Sequence, residues 1–216
     1  MRSPDGQYYL DMETQIAPRQ FSFDMPLDML WADRQQLRMD GRTYETLSIE
    51  NLMLILCVHG TKHLWERLIW VVDVATLLRK RKDLNVPKLL EMATSCGGLR
   101  MLLVGLEIAR EVTGESLPAE ADEAVRRDPT VAQLAHAAIT WALGNLTASP
   151  SLREKIAFNF AVRERVRDRL RCGLLNLFMP TYSDWNAFSL PERLFPLYYI
   201  TRPFRLLGKF VSITCR

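Results

Sequence analysis

Histidine is scarce in this chain, with three residues in 216, and glycine-rich phosphate loops are missing. No G-x-x-x-x-G-K-[ST], G-x-G-x-x-G or G-x-S-x-G pattern occurs, which excludes the P-loop, dinucleotide-fold and serine-hydrolase signatures. The four cysteines (Cys57, Cys96, Cys172, Cys215) are widely spaced with no C-x-x-C pair, so neither a zinc ribbon nor a disulfide framework is expected. No apolar run reaches the ~18 residues of a membrane span. The best candidate, residues 101–109, contains Glu107 and is bounded by Arg100 and Arg110. The N-terminal residues carry no apolar segment of a secretory signal, so a soluble, cytoplasmic protein is expected. Charge of one sign is also lacking. Twenty-eight Lys and Arg against 25 Asp and Glu leave +3, so nucleic acid is not expected as a partner.

What is present is an ordinary globular composition, 48% hydrophobic and 25% charged, organised in two styles. Residues 7–16 alternate apolar and polar side chains, a strand pattern closed by Pro18. Residues 26–31 suit a helical turn. Asp40-Gly41 between the alternating stretches 36–39 and 42–47 predicts a hairpin. From Ser48, a candidate N-cap, the chain reads as successive helices. Starts are expected at Pro87, Arg100, Pro129 and Pro150, and stops at Gly97-Gly98, Gly114 and Gly144. The helix from Pro150 is expected to run to Cys172. A loop is expected around 180–184, and a last segment, 191–211, is expected to be interrupted by Pro196 and Pro203. The fold class is therefore α+β, mostly α, with a β part over 1–47 and a helical domain over 48–216.

Polar chemistry is densest over residues 57–73, which hold two of the three histidines. Leu52, Leu56, His59, His63, Glu66, Trp70 and Asp73 have the spacing of one helical stripe, provided Gly60 stays helical. His59 and His63, four apart, present both imidazoles on one side and suit two metal ligands. Zinc needs further ligands, and Asp73 lies about four turns from His59 on a straight helix. Packing within a helix pair accounts for the same residues. Asp11 and Glu13 share a strand face on which two carboxylates suit Mg²⁺, although an acidic edge strand reads the same way. Arg163, Arg165, Arg167, Arg169 and Arg171 alternate, which spreads them around a helix and favours a solvated surface over phosphate binding. The basic, aromatic segment 197–210 offers an interfacial face toward a membrane surface, with packing against the helical body as the plainer reading.

Two blocks together resemble the uncharacterised nucleotidyltransferase family of bacteria. Residues 56–73 follow L-x-x-H-G-x-x-H-x-W-x-x-L-x-W-x-x-D, and Asp184-Trp185 with residues 197–207 follow D-W … L-Y-Y-x-x-R-P-x-R-L-L. The resemblance spans about residues 7 to 212. It implies a small catalytic sheet followed by a helical domain, and Mg²⁺-dependent transfer of a nucleoside monophosphate from an NTP to an unknown acceptor. The family's metal site is expected to use a D-x-D strand and a third acid on a later strand reading like V-D-L-H-W. Residues 9–14 take the place of that later strand, so Asp11 matches the third acid, as catalytic residue and metal ligand, while Glu13 stands where His is common. Ten residues before Asp11 leave no room for the D-x-D strand. The chain is thus expected to be the C-terminal two-thirds of such an enzyme, truncated or naturally split, with a second chain supplying the missing acids. The resemblance further implies that the helical domain closes on the nucleotide, with His59, Lys62, His63 and Asp73 as nucleotide- or phosphate-binding residues. The alternative is a non-catalytic helical partner module that kept the fold and lost the chemistry.

Overall fold

The computed structural model describes residues 15–144, 150–187 and 190–214. The strand expected over residues 7–16, with Asp11 and Glu13, lies almost wholly outside these residues. Among the described residues the chain is mostly helical, with one two-stranded antiparallel sheet. In order, the elements are α1 (Leu27–Ala32), β1 (Gln35–Met39), β2 (Arg42–Thr46), α2 (Ile49–Lys62), α3 (Leu68–Lys80), α4 (Val86–Cys96), α5 (Leu99–Thr113), α6 (Ala119–Arg127), α7 (Pro129–Leu143), α8 (Leu152–Ala161), α9 (Val166–Phe178), α10 (Tyr182–Ala187) and α11 (Leu197–Thr214), with short 3₁₀ turns at Arg19–Phe21 and Glu192–Leu194. No helix among the described residues is long and apolar enough to cross a membrane.

The described chain forms two compact units. One holds the residues up to Pro18 and Phe23–Glu164; the other holds Arg19–Ser22 and the chain from Arg165 onward. In the first unit α5 is the central rod. Its residues 101–109 are all buried, and α2, α3, α4, α6 and α7 pack around it. The run that resembled a short membrane segment is thus a core helix. Local signals place the surrounding helices. Ser48 accepts the Asn51 N–H at 3.2 Å and starts α2. Asp128 accepts from Thr130 N–H and starts α7 with Pro129 in the first turn. Gly97 and Gly114, with φ of 70° and 72°, close α4 and α5. The hairpin forms as expected. Asp40 (φ 50°) and Gly41 (φ 73°) make its two-residue loop, and Leu37 pairs with Tyr44.

Three expectations about helix limits are corrected. The helix expected over 150–172 is two helices, because tertiary contacts capture the chain between them. Arg163 is buried and donates to the Asn159 carbonyl, while Glu164 accepts from the Leu99 and Arg100 N–H groups at the open start of α5. The expected loop at 180–184 already holds the first turn of α10, where Asp184 accepts from the Thr181 N–H just before the helix. Pro203 does not interrupt α11. An internal proline costs a helix about 3 kcal/mol, and here the helix is pinned on both sides of it. Arg202 donates to Asp184, to Thr181 Oγ1 and to the Asn176 carbonyl, and Arg205 donates to Asp184.

Candidate functional site

The site is built on the α2–α3 hairpin of the first unit. Gly60 stays helical, as the stripe required, but the helix does not continue to Asp73. It ends at Lys62, and Leu64 and Trp65 both adopt left-handed backbone, with φ of 55° and 56°. Two such non-glycine residues cost about 1–3 kcal/mol each. The offset is Trp65, whose side chain is completely buried. Its ring lies in a slot that only glycine permits. A Cβ on Gly60 would stand 2.6 Å from Trp65 Cζ3, and a Cβ on Gly105 of α5 would stand 2.9 Å from Trp65 Cζ2 and 2.6 Å from Cys57 Sγ. The Trp65 N–H closes the turn on the Gly60 carbonyl at 2.8 Å. Burial pushes the Cys57 thiol far above its ordinary pKa, so this sulfur is a packing atom beneath the site.

The turn folds the predicted stripe back on itself. Leu52, Leu56, His59 and His63 line the α2 side of one seam, and Trp70, Asp73, Leu77 and Lys80 line the α3 side. At the turn end three rings converge. His59 and His63 have centroids 4.8 Å apart, and each lies 5.2 Å from Trp70, His59 edge-on and His63 tilted. His63 is exposed, while His59, Lys62 and Trp70 are half-buried. Lys62 is three residues after His59, on the same helical side. Further along the seam is an apolar-floored groove of about 400 Å³, lined by Leu52, Leu56, Asp73, Thr76, Leu77, Lys80 and Arg81. Arg81, at its far end, donates twice to Asp83 and holds that carboxyl down at about 2.

Of the residues singled out in the sequence, His59 and His63 come together, with Lys62 beside them in the last turn of α2. Asp73 lies on the same seam, in the groove beside Leu52 and Leu56. Asp11 lies outside the described residues. Thr76, Lys80 and Arg81 belong to the groove and were missed, although the three- and four-residue spacing runs on from Asp73 to Thr76, Leu77 and Lys80. The seam combines planar π surfaces, imidazole N–H donors, the ammonium groups of Lys62 and Lys80, and one carboxylate, Asp73. Among the described residues no three His, Cys, Asp or Glu side chains gather to hold a metal.

The second sequence block has a different outcome. In the second unit, burial works to raise the Asp184 carboxyl pKa, but the Thr181 N–H and hydroxyl and the guanidiniums of Arg202 and Arg205 outweigh it and hold it at about 2. These residues tie α9, α10 and α11 together.

The helical body thus carries a ring-and-cation seam at the end of a helix hairpin. The chain belongs to the family described as "Uncharacterised nucleotidyltransferase", whose model matches residues 2–114 and so takes in the whole α2–α3 seam. No curated protein and no solved structure matches the chain.

Proposed function

We propose that this chain supplies the nucleotide-facing helical part of an enzyme that transfers a nucleoside monophosphate from an NTP to an acceptor. The observation that carries the proposal is the convergence of His59, His63 and Trp70 beside Lys62 on an accessible seam. Stacking of a base on such rings is worth about 1–3 kcal/mol. The Lys62 ammonium meets triphosphate charge as a point charge, and the imidazole N–H groups donate to phosphate oxygens.

Mg²⁺ is the metal this reaction class uses, and it takes oxygen ligands in octahedral geometry. The seam offers a single carboxylate, Asp73, and imidazoles, so it does not fit Mg²⁺. It binds the base and phosphates and leaves the metal to carboxylates elsewhere. Asp11 is proposed as one of those.

Calorimetric titration of the chain with ATP, GTP, CTP and UTP, each with Mg²⁺, tests this. At least one nucleotide should bind, and Lys62→Ala should weaken it about tenfold, the loss of one charge-assisted contact. Undiminished affinity in Lys62→Ala would refute the phosphate role. One observation favours a second reading, a non-catalytic partner module. Leu68, Ile69 and Val72 of α3 are exposed near Trp70, an apolar surface suited to a polypeptide. Failure of all four nucleotides to bind, together with an Ile69→Asp-sensitive complex with another chain, would establish that reading instead.

A further inference from the structure

The second unit is built inside out. α11 turns Tyr198 and Arg202 inward, and α9 turns Asp168 and Cys172 inward. The interior they share holds the Asp184 ion-pair network. Among its described residues Phe21, Cys172 and Tyr198 are the buried apolar side chains, and many of the larger aliphatic ones stand outside. On α11, Leu197, Ile200, Phe204 and Leu207 are spaced three, four and three apart, a single helical face, and Phe204 is 70% exposed. On α9, Val166, Leu170 and Leu174 repeat every four residues and are likewise exposed. A helix packed in water normally has the opposite arrangement. Exposed apolar surface on this scale marks an interaction site.

Charge separates the possible occupants. The second unit carries ten Lys and Arg against three Asp and Glu, a formal +7, while the rest of the chain carries −4. A second copy docking through the same face would bring +7 against +7. A nucleic acid would answer the charge and leave the aliphatic stripe uncovered. An anionic lipid surface answers both, because acyl chains take the stripe and headgroups take exposed cations such as Arg167 and Arg171 of α9, while Arg202 and Arg205 stay with Asp184. The continuity of α11 through Pro203 gives the stripe one unbroken helix to lie on.

We infer that the second unit docks on anionic membrane surfaces, with the outer face of α11 lying in the interface. The test is co-sedimentation of the whole chain with phosphatidylcholine vesicles containing phosphatidylglycerol at 30%, and with pure phosphatidylcholine vesicles. Binding should occur on the mixed vesicles, fall at least fivefold between 50 and 500 mM salt, and be absent on the neutral ones, about the behaviour expected of Debye-screened attraction. Ile200→Asp and Phe204→Asp should each lower it about tenfold or more while leaving the circular dichroism melt unchanged, since neither side chain touches the Asp184 network. Failure of the wild-type chain to bind mixed vesicles at low salt would overturn the inference. So would full binding by both Asp variants, or a concentration-dependent dimer in the absence of lipid that Phe204→Asp dissolves.

Discussion

Gly60→Ala exchanges a poor helix former for the best one in the middle of α2. On propensity alone it should stabilise the protein by about 1 kcal/mol. The slot reverses the sign. The new methyl would lie 2.6–2.7 Å from three atoms of the Trp65 ring, and that ring is fully buried against Gly105 with no direction in which to yield. Overpacking of this kind costs about 1–3 kcal/mol. With three close contacts the upper end applies, so the net destabilisation should be about 2 kcal/mol, or ~4–8 °C in the melting temperature of a unit of this size. Trp65→Leu alone should cost about 3 kcal/mol through the cavity it opens. In that background the clash is gone, and Gly60→Ala should become neutral or stabilising. Thermal melts followed by circular dichroism at 222 nm on the four proteins of this cycle give the coupling directly. A rise in melting temperature for Gly60→Ala in the wild-type background, or additivity of the two substitutions, would refute the slot.

Other outcomes follow from the same packing. Asp184→Asn leaves Arg202 buried beside a neutral partner and should destabilise the second unit by about 3 kcal/mol, the usual cost of breaking a buried pair. Because the folded Asp184 carboxyl sits at about 2, below its unfolded value, its contribution is present above about pH 4 and is lost as pH falls toward 2. Acid melts of the wild-type chain should show that loss, and Asp184→Asn should flatten it. Asp128→Ala removes the cap of α7 and the 2.6 Å ion pair to Arg100, and should cost about 2 kcal/mol by urea titration. The buried Cys57 thiol should escape maleimide labelling at pH 8 in the native protein and react on unfolding, as read by peptide mass mapping.

Much of the helical body was legible because its signals are local. Ser48, Pro87, Gly97, Gly114 and Pro129 each act within one helix turn, and the Asp40-Gly41 loop needs only its own backbone. The site was half legible. The three- and four-residue spacing picked out Leu52, Leu56, His59, His63, Trp70 and Asp73 of the seam, but it also took in Glu66, which is exposed in the turn, and it did not show the direction of the chain. That direction depends on Leu64 and Trp65 taking left-handed backbone, which neither residue favours alone. Trp65 does so because Gly105, forty residues later, leaves room for its ring. The break between α8 and α9 escaped for the same kind of reason, since Glu164 is held by the start of α5. Pro203 misled in the other direction, because the arginines beside it are anchored by Asp184. The D-W and R-P-x-R residues resemble a family ending in the sequence, and in the structure they build an ion-pair network within the second unit.

Nucleotide binding to the α2–α3 seam is reported most directly by backbone and indole resonances. Titrating isotope-labelled chain with Mg²⁺ and the best-binding NTP should shift the Trp70 indole and the amides of His59, Lys62 and His63 first. The groove residues Asp73, Thr76 and Lys80 should follow, with the second unit unmoved. Saturable shifts confined to another surface, or none at all at millimolar nucleotide, would contradict it.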